Sequence, residues 1–518
     1  MPLTISLQLS PKQAADPKTY IPIAARRAGV ADTRVALARV VKRSVDARRS
    51  PKINLTVELY IDSEPQPAPL HFDYPDVGAK TPVVIIGSGP AGLFAALRLI
   101  ELGYKPIVLE RGKEVVERGK DIARINRNQG VDPDSNYAFG EGGAGAFSDG
   151  KLFTRSRKRG DYNRALQTLV WHGASPEILY EAHPHIGTDR LPRIMTAIRE
   201  TILRSGGSVV FGARVTDIEI RDERAAGVWC GDTLVEGAAV VLAAGHSARD
   251  IYEMLHRRGV ALEAKPFAVG VRVEHPQALI DSIQYHTPDG RGEYLPAAAY
   301  QLVSQEGGRG VYSFCMCPGG FIVPAMTSGD ESVVNGMSPS LRNSPYANSG
   351  IVTEVRLDDF ARLAADHGPL AGLEFQRRLE LAAREHVAES GVQAPAQRVA
   401  DFVSARPSPT LPKTSYIPGL TPSRVDEWLP PFVSRALRAG ISTFGRRMRG
   451  FVTNEAVVLG VESRTSTPVR IPRDPDTLAH PAIANLYPAG EGAGYAGGII
   501  SAALDGERIA SAIATTRP

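Results

Sequence analysis

The chain has 518 residues, of which 43% are hydrophobic and 22% charged, a composition typical of globular proteins that bury a sizeable core. Its length predicts about three domains. The sequence contains three cysteines, Cys230, Cys315 and Cys317, which excludes a small secreted scaffold built on disulfides.

The net charge of +4 is unevenly distributed along the chain. Residues 1–62 carry 11 Lys and Arg against 5 Asp and Glu, a net charge of +6, so the remaining residues are slightly acidic. A basic segment can bind an acidic partner such as RNA or a membrane surface, and it is also a common solvated face of a small domain. We favour the solvated face, because Tyr20 and Tyr60 alone do not form an evident stacking platform for bases.

We expect a cytoplasmic protein without a membrane span. Residues 1–5 show no basic segment followed by an apolar core, as a signal peptide would. Residues 81–100 are apolar up to Arg98, but three glycines and a proline interrupt them. The sequence has neither HExxH nor paired CxxC spacing, so no metal site is predicted.

Residues 1–78 are predicted to form a small basic α/β domain followed by a linker. The predicted order is β-α-β-β. Alternating polarity predicts a strand over residues 3–9, and a helical pattern that ends in a glycine predicts a helix over residues 16–29. Two later apolar stretches, residues 34–45 and 53–61, predict the other two strands. The linker prediction for residues 63–78 rests on four prolines, which are Pro65, Pro67, Pro69 and Pro75.

A dinucleotide site is predicted where residues 83–86, a β-branched run typical of a buried parallel strand, meet a glycine-rich turn and a helix. The turn is Gly87, Ser88, Gly89, Pro90, Ala91 and Gly92. Its glycines allow close approach of a pyrophosphate, which the helix N-terminus then binds. A second strand ends at Glu110, 23 residues after Gly87, where a carboxylate accepts hydrogen bonds from ribose hydroxyls. The acidic residue favours FAD or NAD over NADP.

Three later segments favour FAD over NAD. Residues 208–218 predict a strand leading into a meander, residues 238–245 another buried strand, and residues 485–492 a strand before the last helix. With the glycine-rich turn, these segments resemble the FAD motifs of the two-dinucleotide-binding-domain flavoproteins. Because a single GxGxxG is present, the p-hydroxybenzoate hydroxylase-like branch of the glutathione reductase superfamily is the most similar type.

This resemblance implies FAD as the cofactor. Beyond the turn and Glu110, the implied FAD contacts are Arg111, Gly142, Gly143, Ala144, Gly145, Val215, Ala244, Gly245, Arg464, Gly490, Glu491, Gly497, Gly498 and Ile499. Glu491 stands where the superfamily usually has Asp, which changes the expected ribityl contact. The positive end of the last helix favours reduced flavin.

A narrower resemblance covers most of the chain. Four segments resemble the bacterial FAD-dependent, or NAD-utilising, dehydrogenases, namely residues 42–48, 139–152, 312–320 and 460–470. The implied fold is α/β: a Rossmann-like FAD-binding domain with an inserted α+β substrate or cap domain and the N-terminal β-α-β-β domain. The expected FAD-binding parts are residues 79–265 and 451–518, and the cap is residues 266–450.

Cys315 and Cys317 are the candidate catalytic residues. On a strand both sulfurs would face the same side, and their close spacing would strain a disulfide between them. A thiolate beside the flavin, a nucleophile toward substrate and a merely buried pair all remain open. His246 and the basic run at 446–449 are further candidates for binding the cofactor or an anionic substrate.

These features predict an FAD-dependent oxidoreductase that transfers a hydride through flavin N5 to or from a small organic substrate. The expected electron partner is NAD(P)H, although the sequence has no second Rossmann unit for it. An NAD(P)H-dependent flavin monooxygenase is the alternative within enzymes. A flavin-bearing RNA-binding or modification factor is the alternative of another class, but we do not expect a nucleic-acid partner.

Overall fold

The computed structural model describes residues 2–65, 70–154, 160–288, 290–387 and 391–516. Two prolines of the predicted linker, Pro67 and Pro69, lie outside these residues. In chain order the strands are β1 (Leu3–Leu9), β2 (Val35–Asp46), β3 (Lys52–Ile61), β4 (Pro82–Ile86), β5 (Lys105–Leu109), β6 (Ser208–Val210), β7 (Asp217–Arg221), β8 (Arg224–Cys230), β9 (Thr233–Glu236), β10 (Ala239–Leu242), β11 (Glu263–Ala264), β12 (Phe267–Pro276), β13 (Val303–Glu306), β14 (Arg309–Cys317), β15 (Phe321–Pro324), β16 (Val334–Met337), β17 (Tyr346–Val355), β18 (Ala394–Arg398), β19 (Leu420–Pro422), β20 (Val457–Glu462), β21 (Val469–Arg470) and β22 (Leu486–Pro488).

The α-helices among the described residues are α1 (Pro11–Ala15), α2 (Pro17–Ala28), α3 (Pro90–Glu101), α4 (Val115–Asn126), α5 (Gly143–Ala146), α6 (Tyr162–Trp171), α7 (Leu191–Arg204), α8 (Arg249–Arg257), α9 (Gln277–Tyr285), α10 (Ala364–His367), α11 (Ala371–Glu385), α12 (Val399–Ser404), α13 (Val425–Trp428), α14 (Pro431–Arg447) and α15 (Ile499–Thr516). None of them combines the length and apolar character needed to cross a bilayer. The apolar stretch over residues 81–100 is β4 followed by α3.

The N-terminal module is an antiparallel sheet of order β1-β3-β2 covered by α2. Along β3 the side chains alternate between the core and the outer face, so every second one is fully or almost fully buried, as the period-two pattern requires. Asp16 caps the N-terminus of α2, and Gly29 ends it in the left-handed conformation. The β-α-β-β order agrees with the sequence prediction, with the short helix α1 added before α2.

A parallel sheet of order β22-β10-β4-β5-β6 forms the Rossmann-like part of the fold. Its central strands β4 and β10 are buried along nearly their whole length, which explains their continuous apolar sequences. Helix α3 leaves the end of β4 and packs against α15, so the last helix of the chain completes the first βαβ unit. The predicted α/β class with a Rossmann-like FAD-binding domain is confirmed.

A second sheet, of order β13-β14-β17-β12-β20-β18-β19, is antiparallel except for the β18–β19 pair. Strand β20 lies in this sheet, whereas the sequence analysis assigned all residues after 450 to the returning FAD-binding part. An apolar run shows that a strand is buried but not which sheet it joins. Among the described elements after residue 450, β22 joins the parallel sheet and α15 packs on α3.

One of two smaller features agrees with the sequence prediction and the other differs from it. The meander β7-β8-β9 is present as expected. The second half of the predicted linker, in contrast, packs on the main body: Phe72 and Val77 are buried, and the backbone N–H of Val77 donates to Ser205. Residues 70–78 are therefore part of the packed structure.

The contact between α3 and α15 gives a testable prediction. A Cβ on Gly506 of α15 would lie 2.0 Å from the carbonyl oxygen of Ala91 in α3. We expect Gly506→Ala to destabilise the protein by about 1–3 kcal/mol, because the backbones must move apart. Gly119→Ala is the matched control: it adds a Cβ to a helix where no atom lies within 4 Å, and should stabilise by up to about 1 kcal/mol. Equal denaturation midpoints for the two variants would contradict this packing.

Candidate functional site

A cavity of about 420 Å³ lies at the carboxyl ends of β4, β5 and β10, the edge where open parallel sheets bind ligands. The predicted cofactor residues on its wall are Gly87, Gly89, Pro90, Ala91, Glu110, Arg111, Gly143, Ala144, Gly145, Val215, Ala244, Gly245, Arg464, Gly490, Glu491, Gly497, Gly498 and Ile499. Cys315 and His246 also line it. Four other predicted residues do not: Ser88, Gly92, Gly142 and Cys317.

The glycine-rich turn requires glycine for a steric reason. Gly87 has φ +99°, and a Cβ there would lie 2.5 Å from the carbonyl oxygen of Ala243 on the neighbouring strand. Gly89 stands at the N-cap of α3, where no side chain of the described residues accepts from the first helical N–H groups. These N–H groups and the helix dipole therefore remain available to an anion such as a pyrophosphate.

Glu110, the predicted ribose acceptor, borders the cavity but is only 4% exposed. Its carboxylate accepts hydrogen bonds mainly from backbone N–H groups. One carboxylate oxygen accepts from the backbone N–H and hydroxyl of Ser88, at 2.9 and 2.8 Å. The other accepts from the N–H groups of Gly112 and Gly140, at 2.9 and 3.0 Å. Glu110 thus ties the turn after β4 to two further loops, and its contact with a ribose stays a prediction.

The glycine-rich loop over residues 140–150 is held by a buried arginine. Arg118 of α4 is fully buried and donates to the carbonyl oxygens of Asn136, Tyr137, Gly140 and Glu141. Burial lowers the pKa of Arg118 to about 10, so it stays charged at neutral pH. The guanidinium satisfies carbonyl groups that a loop of this composition would otherwise leave unpaired.

The same loop lies directly against the turn after β4. The N–H of Gly142 donates to the Ser88 carbonyl at 3.1 Å, and a Cβ on Gly143 would lie 3.1 Å from the Gly89 Cα. The loop thus borders the turn that is predicted to bind the cofactor, and the FAD contacts implied for residues 142–145 stay a prediction. Gly142 contributes through its backbone bond, behind the wall that Gly143 and Gly145 form.

Arg111 follows Glu110 and lies over the ring of Phe139, with 4.2 Å between guanidinium carbon and ring centroid. It also pairs with Asp134 and Asp250, at 2.7 and 3.0 Å. Val215 lines the same part of the cavity. Because the charge of Arg111 is neutralised by two carboxylates, its flat side chain rather than its charge is what it presents to a ligand.

The C-terminal motif is positioned by Asp505 of α15, which the sequence analysis did not single out. Asp505 accepts from the N–H of Gly490 at 2.8 Å and forms a two-bond ion pair with Arg473, whose shorter bond is 2.6 Å. Glu491 points elsewhere, with an oxygen 3.5 Å from Nδ1 of His246. Gly497 and Gly498 lead directly into α15, whose N-terminus therefore faces the cavity.

Arg464 reaches the cavity, but its guanidinium is already paired. It binds Glu380 and Glu331, at 3.0 and 2.6 Å, and Arg249 binds the same two carboxylates. Burial would raise the pKa of Glu380, yet the charges of Arg464 and Arg249 hold it at about 2. Arg464 thus serves in a buried ionic network; its contact with FAD stays a prediction. The basic run at 446–449 lies off the cavity lining.

The opposite wall comes from the second sheet, where β14 carries a β-bulge between Phe314 and Cys317. Within the bulge Cys315 adopts φ +45° and lines the cavity, while Cys317 is fully buried. Nζ of Lys151 lies 3.9 Å from Cys315 Sγ and 3.8 Å from Cys317 Sγ. Asp149, 3.4 Å from Lys151, is in turn paired with Arg342 at 2.7 Å.

Arg272 lies beneath the two cysteines and is fully buried. It donates to the Cys315 carbonyl at 2.8 Å, approaches Cys317 Sγ at 3.4 Å and pairs with Glu462 at 3.2 Å. Burial raises the pKa of Glu462 to about 7, against the charge of Arg272. Asn348 accepts from Arg272 at 2.9 Å, so the bulge rests on a polar cluster.

Sequence reasoning missed Lys151, Asp149, Arg272 and Asn335, all of which line or support the cavity. Two signals were present. Arg272 directly follows an apolar run over residues 267–271 of a strand, and a charged side chain in such a strand is buried only when paired. Lys151 directly follows the glycine-rich loop over residues 140–150, four residues of which are implied FAD contacts.

The cavity suits FAD in shape and chemistry. The turn at Gly87 brings backbone to the cavity wall where the neighbouring strand leaves no space for a Cβ, and the N-termini of α3 and α15 both present N–H donors toward anionic groups. Among the described residues no cluster of three or more His, Cys, Asp or Glu has a geometry that could hold a metal ion.

Comparisons with known proteins agree with this geometry. Residues 80–127 match the model of an FAD binding domain, and residues 266–465 match that of an FAD-dependent protein, C-terminal domain-like. Residues 1–60 match a domain of unknown function. A protein of Clostridium beijerinckii is 40% identical over 496 residues, which are 92% of this chain and 91% of the relative.

Solved structures that are similar to the chain share little sequence with it. CtdE in complex with FAD is 12% identical, with 84% of both chains covered and a TM-score of 0.31. L-proline dehydrogenase from P. horikoshii is 12% identical, with 85% of this chain and 94% of that one covered and a TM-score of 0.34. Glycine oxidase from Bacillus cereus is 13% identical, with 85% and 96% covered and a TM-score of 0.31.

The fold and the site define an FAD-binding flavoprotein. The chain belongs to the family of FAD-dependent proteins that includes the relative from Clostridium beijerinckii.

The turn at Gly87 gives a second prediction. We expect Gly87→Ala to weaken FAD binding by between about fivefold and 150-fold, because a Cβ 2.5 Å from Ala243 displaces the turn at a cost of about 1–3 kcal/mol. The flavin absorbance retained after dialysis measures this. Gly103→Ala is the control, since Gly103 also has positive φ but no atom within 4 Å of the added Cβ. If both variants retain FAD equally, the turn does not hold the cofactor.

Proposed function

We propose that the protein is an FAD-dependent oxidoreductase that transfers a hydride through flavin N5 to or from a small organic substrate. The observation that supports this is the composition of a single cavity. One wall carries the FAD motifs at the carboxyl edge of the parallel sheet, and the facing wall carries Phe314 and Cys315 of the second sheet and Asn335 of the β15–β16 pair. A substrate against the second wall would lie beside the cofactor.

FAD supplies the two-electron chemistry, and the protein binds and orients the reactants. Lys151 is the charged group of the substrate wall, and the Asp149–Arg342 pair fixes its surroundings. Burial alone would lower the pKa of Lys151, but the two cysteines and Asp149 raise it, so Lys151 remains an ammonium at neutral pH. It can orient an oxygen of the substrate. The N-terminus of α15 stabilises negative charge on the cofactor.

The electron partner we propose is NAD(P)H, bound without a dedicated Rossmann domain. The described residues contain one glycine-rich dinucleotide turn, so a nicotinamide nucleotide would have to enter the same cavity as the substrate. The single turn also supports placement in the p-hydroxybenzoate hydroxylase-like branch. The three free cysteines suit a reducing compartment such as the cytoplasm.

Anaerobic reduction tests the proposed function. We expect at least one organic hydride donor or reduced nicotinamide nucleotide to bleach the flavin absorbance of the FAD-loaded protein. Deuterium on the donor carbon should slow bleaching, since the C–H bond breaks in the transfer. The control is Gly87→Ala, which should retain less FAD and show a correspondingly smaller loss of flavin absorbance. The proposal would be refuted by two results together. The FAD-loaded protein would accept no electrons from any such donor, and the reduced protein would pass none to any organic acceptor.

A further inference from the structure

The cavity wall built by β14 carries a group that hydride transfer alone does not require. The sulfurs of Cys315 and Cys317 lie within 4 Å of the ammonium nitrogen of Lys151. Arg272 adds a guanidinium nitrogen 3.4 Å from Cys317 Sγ. Two thiols therefore share two cations in a largely buried region, an environment that converts a thiol into a nucleophilic thiolate.

The β-bulge decides which sulfur can react. It places Cys315 on the cavity wall in the left-handed backbone region, which costs a residue other than glycine about 1–3 kcal/mol. Cys317 is fully buried behind it. Burial opposes ionisation, so the negative charge resides on Cys315, the sulfur that borders the cavity.

The titration of the pair follows from these contacts. A hydrogen bond from Cys317, together with the charges of Lys151 and Arg272, lowers the pKa of Cys315 well below that of a free thiol, against the effect of burial. The same hydrogen bond and burial raise the pKa of Cys317. Cys317 therefore remains a protonated thiol that stabilises its neighbour.

Two carboxyl groups face the same region and act in the opposite direction. Asp149 raises the pKa of Cys315, but its own charge is shared between Lys151 and Arg342. Glu462 pairs with Arg272, and burial raises the pKa of Glu462 to about 7. Neither carboxyl group forms a hydrogen bond with Cys315 in the part of the chain that the structure describes.

We propose that Cys315 is a covalent nucleophile of this cavity and that its substrate carries a carbonyl-activated carbon, as aldehydes and α,β-unsaturated ketones do. The electron pair of the sulfur forms a carbon–sulfur bond. The π electron pair moves, directly or through the conjugated double bond, onto the carbonyl oxygen, which takes a proton from Lys151. No electrons are gained or lost in this step. The inference rests on the proposed function and names its substrate class.

The position of Lys151 is what favours a carbonyl over other electrophiles. Its nitrogen lies 3.9 Å from Cys315 Sγ, so an oxygen on the attacked carbon of an aldehyde falls within hydrogen-bond reach of the ammonium. Asn335 lines the same wall with an amide side chain. A cation and an amide beside a thiolate are suited to stabilise the oxyanion that the addition creates.

Alkylation by iodoacetamide, followed by peptide mass spectrometry on the FAD-loaded protein, tests the nucleophile. Near neutral pH we expect Cys315 to react at least about tenfold faster than Cys230, because a pKa lower by one unit gives about tenfold more thiolate. Cys230 is the internal control, a half-buried thiol whose pKa is raised by burial. Equal rates at the two cysteines would overturn the proposal.

Variants of Lys151 show whether the cation causes the reactivity. Lys151→Met should slow alkylation of Cys315 about tenfold near neutral pH and leave it unchanged at about pH 10, where both proteins hold a thiolate. Lys151→Arg keeps the charge and should restore most of the rate. Thermal melting and flavin absorbance establish that each variant is folded. An unchanged neutral-pH rate in folded Lys151→Met would contradict the assigned role of the cation.

Two probe molecules distinguish the carbonyl classes. A short α,β-unsaturated ketone should add its mass to the peptide that contains Cys315, and a short aldehyde should protect that peptide from iodoacetamide reversibly. Either effect supports the substrate class if it is absent in Cys315→Ser. The substrate class would be overturned if neither probe modifies the protein and neither slows alkylation of Cys315 by iodoacetamide.

The outcomes also separate this inference from the proposed function. If Cys315→Ser bleaches the flavin with an active substrate as fast as the unmodified protein does, Cys315 is not the nucleophile. The proposed oxidoreductase function is then unaffected. If Cys315 shows the expected reactivity but no donor bleaches the flavin, the nucleophile stands and hydride transfer falls.

Discussion

The cavity depends on a buried carboxylate, Glu380, which joins the two sheets that form its walls. Glu380 of α11 is fully buried and binds Arg249, the first residue of α8 after β10, and Arg464, just beyond β20. Removing one partner of such a group leaves an uncompensated buried charge, at a cost of about 3–5 kcal/mol. The parallel sheet and the second sheet are therefore held at a fixed separation, and that separation sets the width of the cavity.

The same physical device recurs inside the FAD-binding part. A site that presents backbone rather than side chains to a pyrophosphate needs glycine-rich loops, and such loops carry polar groups that do not pair with each other. Glu110 accepts four hydrogen bonds from Ser88, Gly112 and Gly140, and Arg118 donates to four carbonyl groups. Buried charges with several partners thus fix loops that have no apolar side chains to pack.

Local sequence was sufficient where neighbouring residues determine the structure. The run from β4 through the glycine turn to Glu110 was predicted in full, because strand, turn, helix and strand follow one another and each has its own signal. It failed where the partner is distant in sequence. The sheet to which β20 belongs, the pairing of Arg464 with Glu331, and the bulge at Cys315 all depend on residues more than 30 positions away. Neither hydrophobic periodicity nor a local motif predicts contacts between residues so far apart in the sequence.

The N-terminal module, which the FAD motifs do not require, supports the wall that carries Lys151. Arg43 of β2 exchanges backbone hydrogen bonds with the segment at 180–182 and pairs with Glu181 at 3.1 Å. A few residues on, His185 forms a bridge with Lys151 itself, flanked by backbone bonds from Leu152 and Ile186. The module is thus continuous, through one short segment, with the loop that positions the ammonium. One of its basic side chains, Arg43, is used in this contact, so the module is joined to the cavity wall by charge as well as by backbone.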